Sequence, residues 1–232
     1  MGAKLDILRN EDGSLSIKGL QSSGEQPLWL LQGGKYEILQ SQVTWQDLKQ
    51  HRPPVSVEQF DLLIKNHYLD QSHEIHLLSR LPEQYGDSLR ISARLNGNIF
   101  QANAINGQIY VEGNNLQGPA WLIEDLPLGL RLESGSGDMR IWSQWRDSLP
   151  YQVSGYLQGQ QIKIARQQGK ALQLDTFEGN LGWTEQDGRQ RWSAYDVNIF
   201  ANHQRWRDGE VYLQQDAQDN LSGVIKQLNL QA

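Results

Sequence analysis

The chain has 232 residues, 38% of them hydrophobic, with 21 Lys and Arg against 27 Asp and Glu and a formal net charge of −6. That length can bury a core as one large all-β domain or two small ones, and the acidic balance disfavours an extended nucleic-acid footprint. With no cysteine there is no disulfide framework, thiolate metal site or cysteine nucleophile, which suits the cytosol and a disulfide-free periplasmic protein alike.

No apolar run approaches the roughly 18 to 20 residues of a transmembrane helix, and no basic start leads into an apolar signal stretch. From the N terminus, "LDILRNEDGSLSIKGL" reads as two short strands about an Asp12-Gly13 turn, the strongest short hairpin signal. Because this first strand starts at once, the chain reads as a segment of a longer protein. "KYEILQSQVTW", "VSVEQFDLLI", "EIHLLSRL" and "SLRISARLNG" follow, punctuated by Pro, Gly, Asn and Asp. After them come "GQIYVEGNNL", "GLRLESGSGDMRIWSQW", "YQVSGYLQG", "QIKIARQ" and "LQLDTFEGNLGW". "RWSAYDVNIFAN", "RDGEVYLQQ" and "LSGVIKQLNL" complete the series. Two stretches, "QPLWLLQGG" and "GPAWLIEDLP", fit helical turns better, each with Pro near its start and Gly or Pro near its end. No linker, low-complexity tract or charge block interrupts residues 1–232, so a single continuous β-rich segment is expected.

Alternation assigns the faces. In "SLRISARL", Leu89, Ile91, Ala93 and Leu95 share one side and Arg90, Ser92 and Arg94 the other. Ile109 and Val111 continue the apolar phase, as do Met139, Ile141 and Trp145, against Arg140, Trp142, Gln144 and Arg146. One apolar and one wet face mark an antiparallel sheet covered on one side, yet no amphipathic helix is long enough to cover it. The fold class expected is all-β: a large curved antiparallel meander, groove-like or taco-like, with one or two short helical turns. Either the sheet closes on itself or its apolar lining faces something outside the chain.

The run "LESGSGDMRIWSQWRDS" looks at first like a site. As a phosphate loop it fails, because no Lys-Ser or Lys-Thr and no helix start follow "SGSGD". As a nucleophile elbow it fails on spacing, since Ser136 sits in Gly-Ser-Gly. What remains is a bend in a long strand: Gly135 and Gly137 permit it, and Asp138 holds it through backbone amides or pairs with Arg140 or Arg146. "NHYLDQSHEIH" offers His67, Asp70, His73, Glu74 and His76 as zinc ligands by composition, but on a strand His73 and His76 point to opposite faces. No metal is expected there. Glu124 and Asp125 are neighbouring carboxylates with nothing else to support glycosidase chemistry. No nucleophile with its base and no cofactor loop is found, so neither enzymatic activity nor a cofactor is expected.

The eight tryptophans admit two readings, burial in a β core or groove and display as a sugar-stacking platform. Trp145 shares the apolar phase. Trp142 lies on the other face beside Arg140, and Trp206, between Arg205 and Arg207, is read as part of a solvated turn.

In series, "LRNEDGSLSIKGL", a "WLL" turn, "YEILQSQVTWQD", "LNGNIFQANAINGQIYVEGNNL", "GSGDMRIWSQWRDS" and "FEGNLGWTEQDGRQRWSAYDVNIF" resemble the YhdP-like branch of the AsmA-like proteins over nearly the whole chain. The resemblance implies an internal segment of a long inner-membrane protein of Gram-negative bacteria, anchored by a helix outside this chain, with a periplasmic β-rich body. It further implies transport of phospholipid between inner and outer membranes along a hydrophobic groove, without catalysis. The partners it implies are phospholipid acyl chains and neighbouring segments of the same long chain, with membrane contact through the anchor and no nucleic acid. Leu89, Ile91, Leu95, Ile109, Val111, Met139, Ile141 and Trp145 are then the expected groove lining. The alternative is a carbohydrate-binding or adhesive β-domain using exposed Trp and Arg. Tryptophans gathered on the apolar face favour lipid, and an exposed row beside carboxylates favours sugar.

Overall fold

The computed structural model describes residues 2–12, 15–18, 31, 33–51, 53–67, 71–98, 105–122, 130–166, 171–226 and 229–231. The fold is all-β. Contacts gather into two units, Met1–Pro82 with Ser88–Ile109 and Arg146–Leu149, and Glu83–Asp87 with Tyr110–Trp145 and Pro150–Ala232.

The first unit contains β1 (Lys4–Arg9), β2 (Leu15–Ile17), β3 (Lys35–Asp47), β4 (Val55–His67), β5 (Ser72–Arg80), β6 (Ser88–Asn96) and the first residues of β7 (Asn106–Gln117). β1 and β2 form the hairpin expected around Asp12. The pairing of β1 with β3 is parallel, placing Leu5 beside Val43 and Ile7 beside Trp45, which a simple meander does not foresee. From β3 to β6 every pairing is antiparallel.

Those registers build one apolar side. Ile38 lies across from Leu62, Leu62 from Leu77, and Leu77 from Ile91. Val43, Phe60, Ala93 and Leu95 are its buried hydrophobic members. Hydrogen-bonded polar pairs close its two ends. At one, buried Asp47 accepts from the Arg9 guanidinium at 3.3 Å and from the Gln50 amide at 3.0 Å. At the other, buried His73 meets Asn66 Oδ1 at 2.7 Å and the Gly97 carbonyl at 3.0 Å.

The second unit contains the rest of β7, a short helix α1 (Gly118–Trp121), β8 (Leu130–Arg146) and β9 (Leu149–Arg166) apart from Arg146 and Leu149, β10 (Leu172–Gln186), β11 (Arg189–Ala201), β12 (Gln204–Gln215), β13 (Leu221–Lys226) and β14 (Asn229–Gln231). Strands β9 to β13 pair antiparallel in chain order, and β14 lies beside β12 as well. Two strands expected at "YQVSGYLQG" and "QIKIARQ" are one. The chain stays in β9 through Gln161, which takes φ 51, so glycine and an αL residue here mark an irregularity rather than an end. Trp206 lies inside β12, paired with Ile199 across the ladder. The turn is at Asn202 and His203, which take φ 51 and 65, so the reading of Trp206 as part of a turn is corrected. Of the two helical turns, "GPAWLIEDLP" supplies α1, and of "QPLWLLQGG" only Leu31, Gly33 and Gly34 are among the described residues.

Both units bend strands by the same means. Gln40, Asn115, Asp196 and Asp208 sit within strands at φ 48 to 54, the left-handed region that Asn and Asp tolerate best. A neighbouring strand caps three of the displaced amides. Gln40 N–H donates to Asp61 Oδ1 at 2.6 Å, Asn115 N–H to Asp138 Oδ1 at 2.7 Å, and Asp208 N–H to Asn198 Oδ1 at 3.4 Å.

Removing an acceptor should therefore cost stability. Asp61→Ala and Asp138→Ala are each expected to destabilise the fold by about 1 kcal/mol, with Asp→Asn restoring most of it. Urea denaturation measures this, and unchanged midpoints in both alanine variants would show the caps to be energetically idle.

Candidate functional site

The apolar side of the second unit is the candidate site. On β10, Leu181 and Trp183 alternate with Gly182 and Thr184. The registers set Leu181 between Gly155 and Ala194, and Trp183 between Val153 and Trp192. Trp192 lies in turn beside Leu213, and Ala194 beside Val211. Small residues next to large ones leave a depression of about 390 Å3, lined by Ile141, Leu157 and the residues just named other than Thr184. Trp183 and Trp192 form its broad wall, and the Trp183 indole N–H donates to Gln190 Oε1 at 3.4 Å.

This side is open. Among the described residues of the second unit, the buried ones are all glycines: Gly86, Gly113, Gly179 and Gly209. Leu181 retains 37% of its accessible surface and Leu213 38%. The buried hydrophobic residues Val43, Phe60, Ala93 and Leu95 all belong to the first unit.

The sequence-derived lining divides between the units. Leu89, Ile91, Leu95 and Ile109 lie in the first, and Val111, Met139, Ile141 and Trp145 in the second. Leu89, Ile91 and Ile109 are half-buried, whereas Leu95 is 6% exposed and belongs to the enclosed core. In the second unit the phase is fixed from the opposite face. Tyr110 packs on Trp142 with ring centroids 5.0 Å apart, and Glu112 pairs with Arg140 at 3.8 Å. Alternation then turns Val111, Met139 and Ile141 to the apolar side. Of this set, Ile141 lines the depression. Trp145 is half-buried, its indole N–H on Ser143 Oγ at 2.8 Å.

Val153, Leu157, Leu181, Trp183, Trp192 and Leu213 were not among the expected lining. The period-two signal was present in "LGW" and "VYL", but bulges interrupt the phase beyond them. Ala194 and Val197 occupy the same side three residues apart, because Asp196 is the extra residue.

The stretch around Asp138 performs backbone work. β8 runs unbroken through it, and Gly135 takes φ +137. A Cβ at Gly137 would collide with the Gln158 carbonyl. Asp138 accepts the Asn115 amide, while Arg140 pairs with Glu112. The histidines do not converge: His76 meets Ser92 at 3.2 Å, His67 lies 3.6 Å from Glu74, and His73 takes the partners already given. No three His, Asp or Glu among the described residues are grouped to hold a metal. Asp70, Glu124, Asp125 and Trp29 lie outside the described residues.

On the polar face, burial first, and then its hydrogen bond to Glu178, raises the pKa of Tyr156 above the ordinary phenol value. Trp142 is 48% exposed there, while Trp183 and Trp192 line the apolar side.

No helix among the described residues is long and apolar enough to cross a membrane. Comparison with family models matches residues 2–232 to the YhdP protein family. Comparisons with curated proteins and with solved structures give no match.

Side chains at the two glycines are expected to be resisted. Gly135→Val and Gly137→Val should each destabilise the fold by about 1–3 kcal/mol, through the left-handed backbone in one case and the Gln158 carbonyl in the other. Thermal or urea melts test this, and neutrality at both positions would remove the bend argument.

Proposed function

The chain belongs to the YhdP family, and on that premise we propose that it is a non-catalytic segment of a periplasmic, inner-membrane-anchored protein whose apolar face conducts phospholipid between the two membranes of Gram-negative bacteria. Acyl chains rest on that face, neighbouring segments of the same long chain continue it, and membrane contact is made through an anchor helix outside these residues.

One observation carries the reading: a side lined by Trp183, Trp192, Leu181 and Leu213 in a unit whose buried described residues are all glycines. Soluble proteins rarely leave contiguous apolar surface uncovered unless something binds it. An acyl chain is a fitting occupant, because each methylene it buries contributes about 0.8 kcal/mol and no polar group need be placed for it. The tryptophans support lipid over sugar on this face, since Trp183 and Trp192 lie across from each other inside the apolar depression. The openness of the side chains suits cargo that slides, because a closed core would have to unpack to admit it.

A photocrosslinking residue at Ile141, Leu181 or Leu213 in the full-length protein should capture phospholipid, identified by mass spectrometry. The same residue at Arg140 or Tyr195 on the other face should not. Leu181→Asp should abolish capture while leaving the fold intact, because an unpaired charge against acyl chains costs several kcal/mol. Equal capture from both faces would overturn the proposal.

A further inference from the structure

The second unit has another depression, of about 690 Å3, distinct in composition from the apolar one. It crosses β8 to β12 where the bulge residues Asn115 and Asp208 border it. Asp138, Gln158, Glu178, Asn198 and Arg207 line it from the polar face, with Phe200 beside them. Arg205 lies over the Phe200 ring at 5.5 Å. The ladder brings these groups together: Glu178 is registered with both Gln158 and Asn198, and Phe200 with Arg205.

We propose that this depression is a saccharide-binding site, taking a short uncharged oligosaccharide. Carboxylates, amides and guanidinium groups are the planar acceptors and donors that pair with vicinal hydroxyls. The Phe200 ring, with Arg205 over it, is the apolar surface against which the C–H side of a sugar ring packs. The volume lies within the range that holds a small ligand. Phosphate is a poorer match, because Asp138, Glu178 and Asp208 stand among the two arginines and would repel it. An acyl chain is poorer still, since it would strip water from charged groups without replacing their hydrogen bonds.

The test is titration of the chain with linear tetrasaccharides of glucose, N-acetylglucosamine, mannose and galactose, read by saturation-transfer NMR and calorimetry. At least one should bind. Glu178→Ala and Arg207→Ala, both exposed positions, should each weaken that binding at least about tenfold, the effect of one lost charge-assisted hydrogen bond, with unchanged circular dichroism. Leu181→Asp should leave it unaltered, so failure of the lipid reading and of this one are distinguishable. Binding of none of the four sugars, or binding indifferent to both Glu178 and Arg207, would overturn the proposal.

Discussion

Backbone pairing across long strands is the constraint on which the second unit depends. A packed protein draws most of its stability from buried apolar surface, yet none of this unit's described non-glycine residues is buried. What holds it is the ladder, with β9 reaching eighteen residues from Leu149 to Arg166, each bond contributing about 0.5–1.5 kcal/mol net. Cross-strand neighbours such as Trp183 and Trp192 add tenths of a kcal/mol to about 1 kcal/mol each. The first unit differs, because Val43, Phe60, Ala93 and Leu95 give it an enclosed centre.

Bending such a ladder displaces amides from their partners, and an unpaired amide beside an apolar lining would carry a desolvation penalty. The caps resolve this from one side. Asp61 alternates with Phe60 and Leu62, Asp138 with Gly137 and Met139, and Asn198 with Val197 and Ile199. Each acceptor therefore belongs to the polar face. Hydrogen bonding lost at the bulges is recovered on the wet side, and the apolar side bends without gaining a polar group.

Much of this was legible in the sequence. Strict alternation in "SLRISARL" and "MRIWSQW" identified strands and faces, because a half-buried sheet enforces period two. Asp12-Gly13 identified the first hairpin. Missing were features that depend on distant pairing. The parallel contact of Leu5 with Val43 requires two segments nearly forty residues apart to meet, and neither advertises it. Leu95 looked like its neighbours in phase, but its register with His73 at the polar-capped end encloses it. Leu181 and Trp192 were passed over because Asp196 and Asp208 break the count within their own ladders. An isolated Asp in a strand reads as an exposed polar residue, and its left-handed backbone has no separate sequence signature.

The depth of the apolar depression follows from side-chain size. Leu181 has Gly155 on one side and Ala194 on the other, so hollows flank it where β-branched residues would otherwise fill the surface. Trp183 and Trp192, one pair further along, rise above that floor. A Cβ at Gly155 would stand 3.1 Å from the Arg140 carbonyl and 3.3 Å from Ile141, so the close approach of β8 keeps this part of the floor low. The glycine thus serves the pairing, whereas the large residues around it are inefficiently used if nothing covers them. Their use is accounted for if the surface is completed by an apolar molecule lying along the hollow, shielded from water by the tryptophans and held by no directional bond.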